Sequence, residues 1–333
     1  MKMKRILTVL LCVVLLAEGM TGCGSAPAKY TAPADTEAQP GAEKLRITAT
    51  IFPVYDWLRQ IVGDHGSGAE LTLLLGNGVD LHSYQPTADD IVTIASCDLF
   101  VYVGGESDEW VEDVLREASN KDIAAIDLLD VLGDRAKAEE YKDGMQTEPA
   151  EEVDEASDEH IWLSLKNAAT LCRCLAEKLC ELDPNHADAY RANTDAYTEK
   201  LDALDQQYAE AVAAAPVKTL LFGDRFPFRY LTDDYGLDYY AAFAGCSAES
   251  EASFETVIFL AEKIDALGLK AILQLESADG KLAETIKNQT QSKDQAILTL
   301  NSLQSMTEED IAGGLTYLSA MEKNLAVLKN AMK

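Results

Sequence analysis

The stretch PNHADAYRANTDAYTEKLDALDQQYAEAVAAA, residues 184 to 215, decides how the rest of the chain reads. Pro184 suits a first helical turn and Pro216 closes the far end. Between them Tyr190, Tyr197, Leu201, Leu204 and Tyr208 recur at helical spacing, so the segment predicts one uninterrupted helix. At 1.5 Å per residue, a helix of about 30 residues is roughly 45 Å long, enough to run the height of two domains.

On both sides of this helix, short β-branched or leucine-rich runs alternate with amphipathic stretches. Leu45 to Ile51, Glu70 to Leu75, Asp98 to Val103 and Ile123 to Leu128 predict strands, with helices at Val54 to Val62, Ala88 to Ser96 and Asp108 to Ser119. After Pro216 come strands at Val217 to Phe222, Leu237 to Phe243, Lys270 to Leu275 and Ala296 to Leu300. Helices are expected there at Phe228 to Tyr235, Phe254 to Leu267, Gly280 to Thr290 and Glu308 to Met332. Alternation of this kind implies an α/β fold: two parallel-sheet lobes of (βα)4 type, residues 45–183 and 216–333, joined by the helix at 184–215. A single long connecting helix is stiffer than crossing strands and argues against wide hinge closure.

The amino terminus supplies an address. Lys2, Lys4 and Arg5 precede the apolar run Ile6 to Ala17, and Met20-Thr21-Gly22-Cys23 follows, the layout of an export signal over residues 1–22. The apolar run is too short to span a bilayer. Small residues directly before Cys23 resemble a bacterial lipobox, which implies lipidation of Cys23 and anchoring at the outer face of the cell membrane. A diacylglyceryl group supplies the two acyl chains that stable anchoring needs. Residues 23–44, rich in Ala, Pro, Gly, Thr and charge, read as a flexible tether.

The net charge of −29 becomes near −31 once the signal, with Lys2, Lys4 and Arg5 against Glu18, is removed. Such a surface repels nucleic acid and anionic lipid and raises the local concentration of cations. Beyond Cys12 and Cys23 the chain holds Cys97, Cys172, Cys174, Cys180 and Cys246, an odd number at irregular spacing and a poor disulfide framework. Cys172, Cys174 and Cys180 lie on one predicted helix, Lys166 to Glu181, and read as small buried apolar residues.

Four histidines invite inspection one by one, because imidazole is a preferred ligand of transition metals. His65 lies in a glycine-rich turn and His186 in the first turn of the long helix beside Asp183 and Asp188; both read as solvated. His82 falls in the loop after the second strand, and His160 closes an acidic run and opens a helix. In open parallel sheets ligands bind beyond the carboxyl ends of the strands. In the second lobe that rule points to Asp224, in Phe222-Gly223-Asp224-Arg225, and to Glu276, in Leu275-Glu276-Ser277. Each carboxylate follows a leucine-rich strand, although an aspartate before a helix is also an ordinary cap.

Here the chain resembles the metal-specific solute-binding lipoproteins of bacterial ABC importers, the zinc and manganese class with a long linking helix. The likeness runs from Leu45 to the C-terminus. It rests on the Gly-x-x-x-His-x-Tyr-x-Pro form around His82, the His-Ile-Trp-Leu form around His160, the segment at Asp224 with Tyr235-Gly236, and the strand-end Glu276. The resemblance implies a metal site in the cleft between lobes held by His82, His160, Asp224 and Glu276. Zinc members usually carry histidine where Asp224 stands.

Two imidazoles and two carboxylates nearly cancel a divalent charge and lie between imidazole-rich zinc sites and oxygen-rich manganese sites. The resemblance implies a monomeric extracytoplasmic protein that captures Zn²⁺ and delivers it to a permease and its ATPase. Manganese or iron binding in the same class is the first alternative. A secreted metallohydrolase is the remote one: the chain has no His-Glu-x-x-His helix, Gly-x-Ser-x-Gly elbow or phosphate loop. The acidic run at 139–159, with ten acids and one lysine, is read as a solvated loop or a modest aid to metal capture.

Overall fold

In a computed structural model, residues 44–63, 69–146, 156–247 and 251–333 are described. The first lobe contains β1 (Leu45–Ala49), α1 (Phe52–Val62), β2 (Ala69–Leu73), α2 (Ala88–Ser96), β3 (Leu99–Tyr102), α3 (Trp110–Glu117), β4 (Ala124–Asp127), α4 (Leu128–Leu132) and α5 (Leu165–Leu182). Its four strands are parallel, in the order β2-β1-β3-β4.

The linking helix α6 (Ala187–Ala214) spans 28 residues, about 42 Å, and is preceded by a 3-10 turn at Pro184–His186. Its expected apolar row is buried: Tyr190, Leu201 and Tyr208 have no exposed surface, and Tyr197 and Leu204 almost none. It packs against α5 and α1 on the first-lobe side. On the other it meets α7 (Arg229–Tyr235) and α11 (Tyr317–Ala331) of the second lobe. One apolar stripe thus belongs to both cores, and the largest hydrophobic cluster of the molecule runs through it.

The second lobe repeats the plan with β5 (Thr219–Phe226), β6 (Asp238–Ala244), α8 (Phe254–Leu267), β7 (Ala271–Gln274), α9 (Lys281–Gln289), β8 (Ala296–Thr299) and α10 (Glu308–Ala312). These strands too are parallel, in the order β6-β5-β7-β8. The expected single helix at Glu308 to Met332 is two, α10 and α11, because Gly313 and Gly314 break it. Gly314 takes a φ of +88°, which only glycine adopts without strain. Strand β5 runs four residues beyond its expected end at Phe222, with a register shift between Phe222 and Arg225. Asp224 therefore sits in a strand irregularity, not after the strand. The residue capping α7 is Phe228, so Asp224 caps no helix.

Candidate metal site

The loop after β2 is tied at both ends. Asp80 caps the 3-10 turn Leu81–Ser83 by accepting the His82 backbone N–H at 3.0 Å, while Leu81 is fully buried beneath it. The other Asp80 oxygen accepts from Arg225 of the second lobe at 2.7 Å. Burial works against the Asp80 charge, yet Arg225 and His82 hold its pKa below the ordinary value. The same loop pairs with the second lobe through an Asn77–Thr307 bridge and a Gly78 N–H to Met306 carbonyl bond of 3.2 Å.

His160 is fully buried, and Asp158 fixes it twice, accepting from its backbone N–H and bonding its ring Nδ1, both at 2.9 Å. Tyr230 of α7 in turn donates to the Asp158 carbonyl at 2.8 Å. His82 is held the same way: its Nδ1 lies 2.9 Å from the Ser107 hydroxyl and 3.3 Å from Glu159 Oε2. The other Glu159 oxygen accepts the Ser107 N–H at 2.9 Å. Burial would raise the Glu159 pKa, but His82 and Ser107 bring it below the ordinary value. Gly105 leaves the space this carboxylate needs, since a Cβ there would lie 2.5 Å from Glu159 Oε1.

With both Nδ1 atoms engaged by acids or a hydroxyl, both Nε2 atoms point to one place, 3.0 Å apart. An outer carboxylate on one ring nitrogen is the arrangement that orients metal-binding histidines and raises their basicity. In a tetrahedral zinc shell two imidazole nitrogens lie about 3.3 Å apart, close to the separation here. Two residues missed in the sequence share the spot. Gln304, beyond β8, has its amide nitrogen 2.7 Å from His160 Nε2 and 3.1 Å from His82 Nε2. Cys246, beyond β6, completes a group with His82 and His160 whose donor atoms all lie within 4.8 Å of one another. The strand-end rule covered both, had it been applied to all four strands of the second lobe and not to β5 and β7 alone.

The structure brings His82 and His160 together but leaves Asp224 and Glu276 outside that group. Asp224 accepts the backbone N–H groups of Arg225 and Leu275, at 2.8 and 2.9 Å, and so pins β5 to the end of β7. It lines an open cavity with Asp80, Arg225 and Gln274 that neither histidine reaches. Glu276 accepts both the N–H and the hydroxyl of Ser302, at 2.7 and 2.8 Å, and burial raises its pKa.

The remaining singled-out residues divide simply. Cys172 and Cys180 are buried, Cys174 is half-buried, and no disulfide joins any cysteine among the described residues. His186 is partly exposed and bonds Asp183 at 2.6 Å. The front of the acidic run is not a free loop: Glu139 accepts the Cys246 N–H at 2.8 Å, and Glu140 pairs with Arg229 and with Tyr239 at 2.7 Å. His65, Cys23, the export signal, nearly all of the tether and residues 147–155 of the acidic run lie outside the described residues.

Two parallel four-stranded sheets, one linking helix and a pair of imidazoles facing the second lobe are the features to set beside known proteins. The chain belongs to the family described as zinc-uptake complex component A, periplasmic, which it matches over residues 47–331. It is 34% identical over 292 residues to the zinc-binding lipoprotein AdcA of Streptococcus pneumoniae serotype 4, covering 86% of this chain and 55% of that protein. It thus spans about half the length of the first curated relatives it matches. It is 28% identical over 321 residues to the high-affinity zinc uptake system protein ZnuA of Bacillus subtilis, covering 96% of this chain and 95% of that one. The crystal structure of the Zn(II)-bound ZnuA-like domain of Streptococcus pneumoniae AdcA superposes with a TM-score of 0.69 at 32% identity. The match covers 87% of this chain and 99% of that domain. The family's description is that of a zinc-uptake component and names no hydrolase.

Proposed function

We propose that this protein is the extracytoplasmic binding component of an ABC importer, capturing Zn²⁺ and handing it to a membrane permease and its ATPase. The observation that carries the reading is the His82–His160 pair, with its Nε2 atoms 3.0 Å apart and each Nδ1 held from behind. Zinc is favoured over manganese because both fixed donors are imidazoles and because zinc outranks Mn²⁺ at nitrogen sites. Family membership and the zinc-binding relatives support the same choice.

Within this reading the expected carboxylates already serve as hydrogen-bond acceptors that hold the second lobe's strand ends. Glu276 holds the turn at Ser302 that carries Gln304, and Asp224 fixes the ends of β5 and β7. Docking on the permease releases the ion by loosening the second lobe's side of the site. Lipidation of Cys23 keeps the protein at the outer face of the membrane, tethered by residues 23–44.

Purification of the chain under mixed-metal supply, followed by elemental mass spectrometry, tests the metal. Zinc is expected at one ion per chain. Manganese or iron as the dominant ion overturns the zinc reading.

A further inference from the structure

We propose that Cys246 is a metal ligand, so that the second lobe closes the site with a thiolate, and with the carboxamide of Gln304, where the sequence pointed to carboxylates. This rests on the zinc-binding reading above.

Three observations converge. First, the Cys246 sulfur and the His82 and His160 ring nitrogens lie within 4.8 Å of one another, and the cysteine is in no disulfide. A tetrahedral zinc ion bound at about 2.0 Å by nitrogen and 2.3 Å by sulfur sets its donors about 3.3 to 3.6 Å apart, so the gap closes by little more than a rotamer adjustment.

Second, the chain is built to bring this residue in. At Gly245 the backbone passes so near His160 that an added Cβ would sit 3.0 Å from ring Cε1 and 2.8 Å from the Phe226 carbonyl oxygen. Only a residue without a side chain passes there, and the next one is Cys246, whose N–H is anchored by Glu139 at 2.8 Å.

Third, Gln304 is 3% exposed and its Oε1 is buried with no hydrogen-bond partner, while its amide nitrogen donates into the same pair of Nε2 atoms. An orphaned buried acceptor is costly and calls for a partner. Half a turn of the amide exchanges its nitrogen and oxygen, aims Oε1 where the ion would lie, and gives four donors: two imidazoles, one thiolate and one amide oxygen.

On binding, the Cys246 S–H bond breaks, its proton leaves to solvent, and sulfur donates an electron pair to the ion without change of oxidation state. A thiolate is soft, so the set discriminates for zinc and against manganese more strongly than two imidazoles with two carboxylates would.

The test uses the full chain and three ions, Zn²⁺, Co²⁺ and Mn²⁺. Cobalt-loaded protein is expected to show a near-ultraviolet thiolate-to-cobalt charge-transfer band that vanishes in Cys246→Ser. That variant should lose more than about a hundredfold in zinc affinity, above the roughly 10- to 100-fold that loss of an outer contact costs, with little change for Mn²⁺. Bound zinc should also protect Cys246 from alkylation in the unsubstituted protein, a measurement that needs no variant to fold. If the cobalt band is missing, zinc gives no protection and Cys246→Ser keeps full zinc affinity, the thiolate assignment falls. His82→Ala abolishing zinc binding in that case leaves the zinc-binding reading standing. If the unsubstituted chain binds no zinc at all, both fall.

Discussion

Trp162 donates its indole N–H to the Ser302 carbonyl across 2.8 Å, a fully buried bond between the two lobes. Trp162 lies two residues beyond His160, and Ser302 two before Gln304, so this bond joins the two sides of the site close to the imidazoles and acts beside the Asp80–Arg225 pair and the Asn77–Thr307 bridge. The Tyr317 hydroxyl locks the same residue by donating to the Trp162 carbonyl. Trp162→Phe leaves the Ser302 carbonyl without its donor, an unpaired buried group costing about 1–3 kcal/mol. Thermal melting should record that loss, and isothermal titration should record weaker zinc binding. Unchanged affinity would mean that the Asn77–Thr307 bridge suffices to keep the lobes in register.

Replacing His82 or His160 by alanine should abolish tight zinc binding, measured by competition with a chelator of known affinity. His65→Ala should not, and neither should His186→Ala, since His186 is partly exposed and bonded to Asp183. Equal metal occupancy in His82→Ala and His65→Ala would refute the site.

Asp158→Asn and Glu159→Gln keep the shape behind each imidazole but remove its charge. Both should weaken zinc binding by about 10- to 100-fold without changing metal stoichiometry. A loss confined to folding, with affinity intact in the folded fraction, would show that these carboxylates only pack.

Asp108 should make stability pH-dependent. Burial pushes its pKa up to about 7, the Glu159 charge adds to the rise, and N–H bonds from Gly104 and Val103 oppose it. The folded state thus binds this proton more tightly than the unfolded one. Its contribution is complete below about pH 4, falls as pH rises, and is gone above about 7, a span on the order of 4 kcal/mol at most. Asp108→Asn should shrink the difference in melting temperature between pH 5 and pH 8. A difference as large as in the unsubstituted protein would assign the pH dependence to other groups.

Leu201, fully buried on α6, lies in the core shared by both lobes. Leu201→Ala should cost about 2–5 kcal/mol in unfolding free energy, through lost burial and the cavity left behind. Zinc affinity of the folded protein should stay within about twofold if the helix is a rigid spacer, by the rule that well-separated sites act independently.

Much of the architecture was legible because it repeats a physical period. Strands such as β3 (LFVY) and β7 (AILQ), with three of four residues buried, read as short continuous apolar runs, and the α6 row keeps a helical period along the 28-residue helix. His82 and His160 were legible for a different reason: histidine is rare here, and both sit at strand ends or loop edges where packing makes no demand for an imidazole. The β5 irregularity was not, because a register shift at Gly223-Asp224 depends on how the neighbouring strands meet and carries no periodic signal. Nor was the split of α10 from α11 foreseen, since a Gly-Gly pair within an apolar pattern gives no measure of which conformation it takes.

The sequence by itself determined two α/β lobes, the helix between them, the acidic surface and the pair of histidines, since each follows from local pattern or composition. Tertiary structure alone decided what faces those histidines. Asp224 and Glu276 have the right chemistry, yet their oxygens accept from Leu275 and Ser302, while Cys246 and Gln304 lie beside the two imidazoles. A donor's identity is written in the chain, but its direction is set by backbone N–H groups and close approaches, such as Gly245 against His160, that exist only once both lobes have packed.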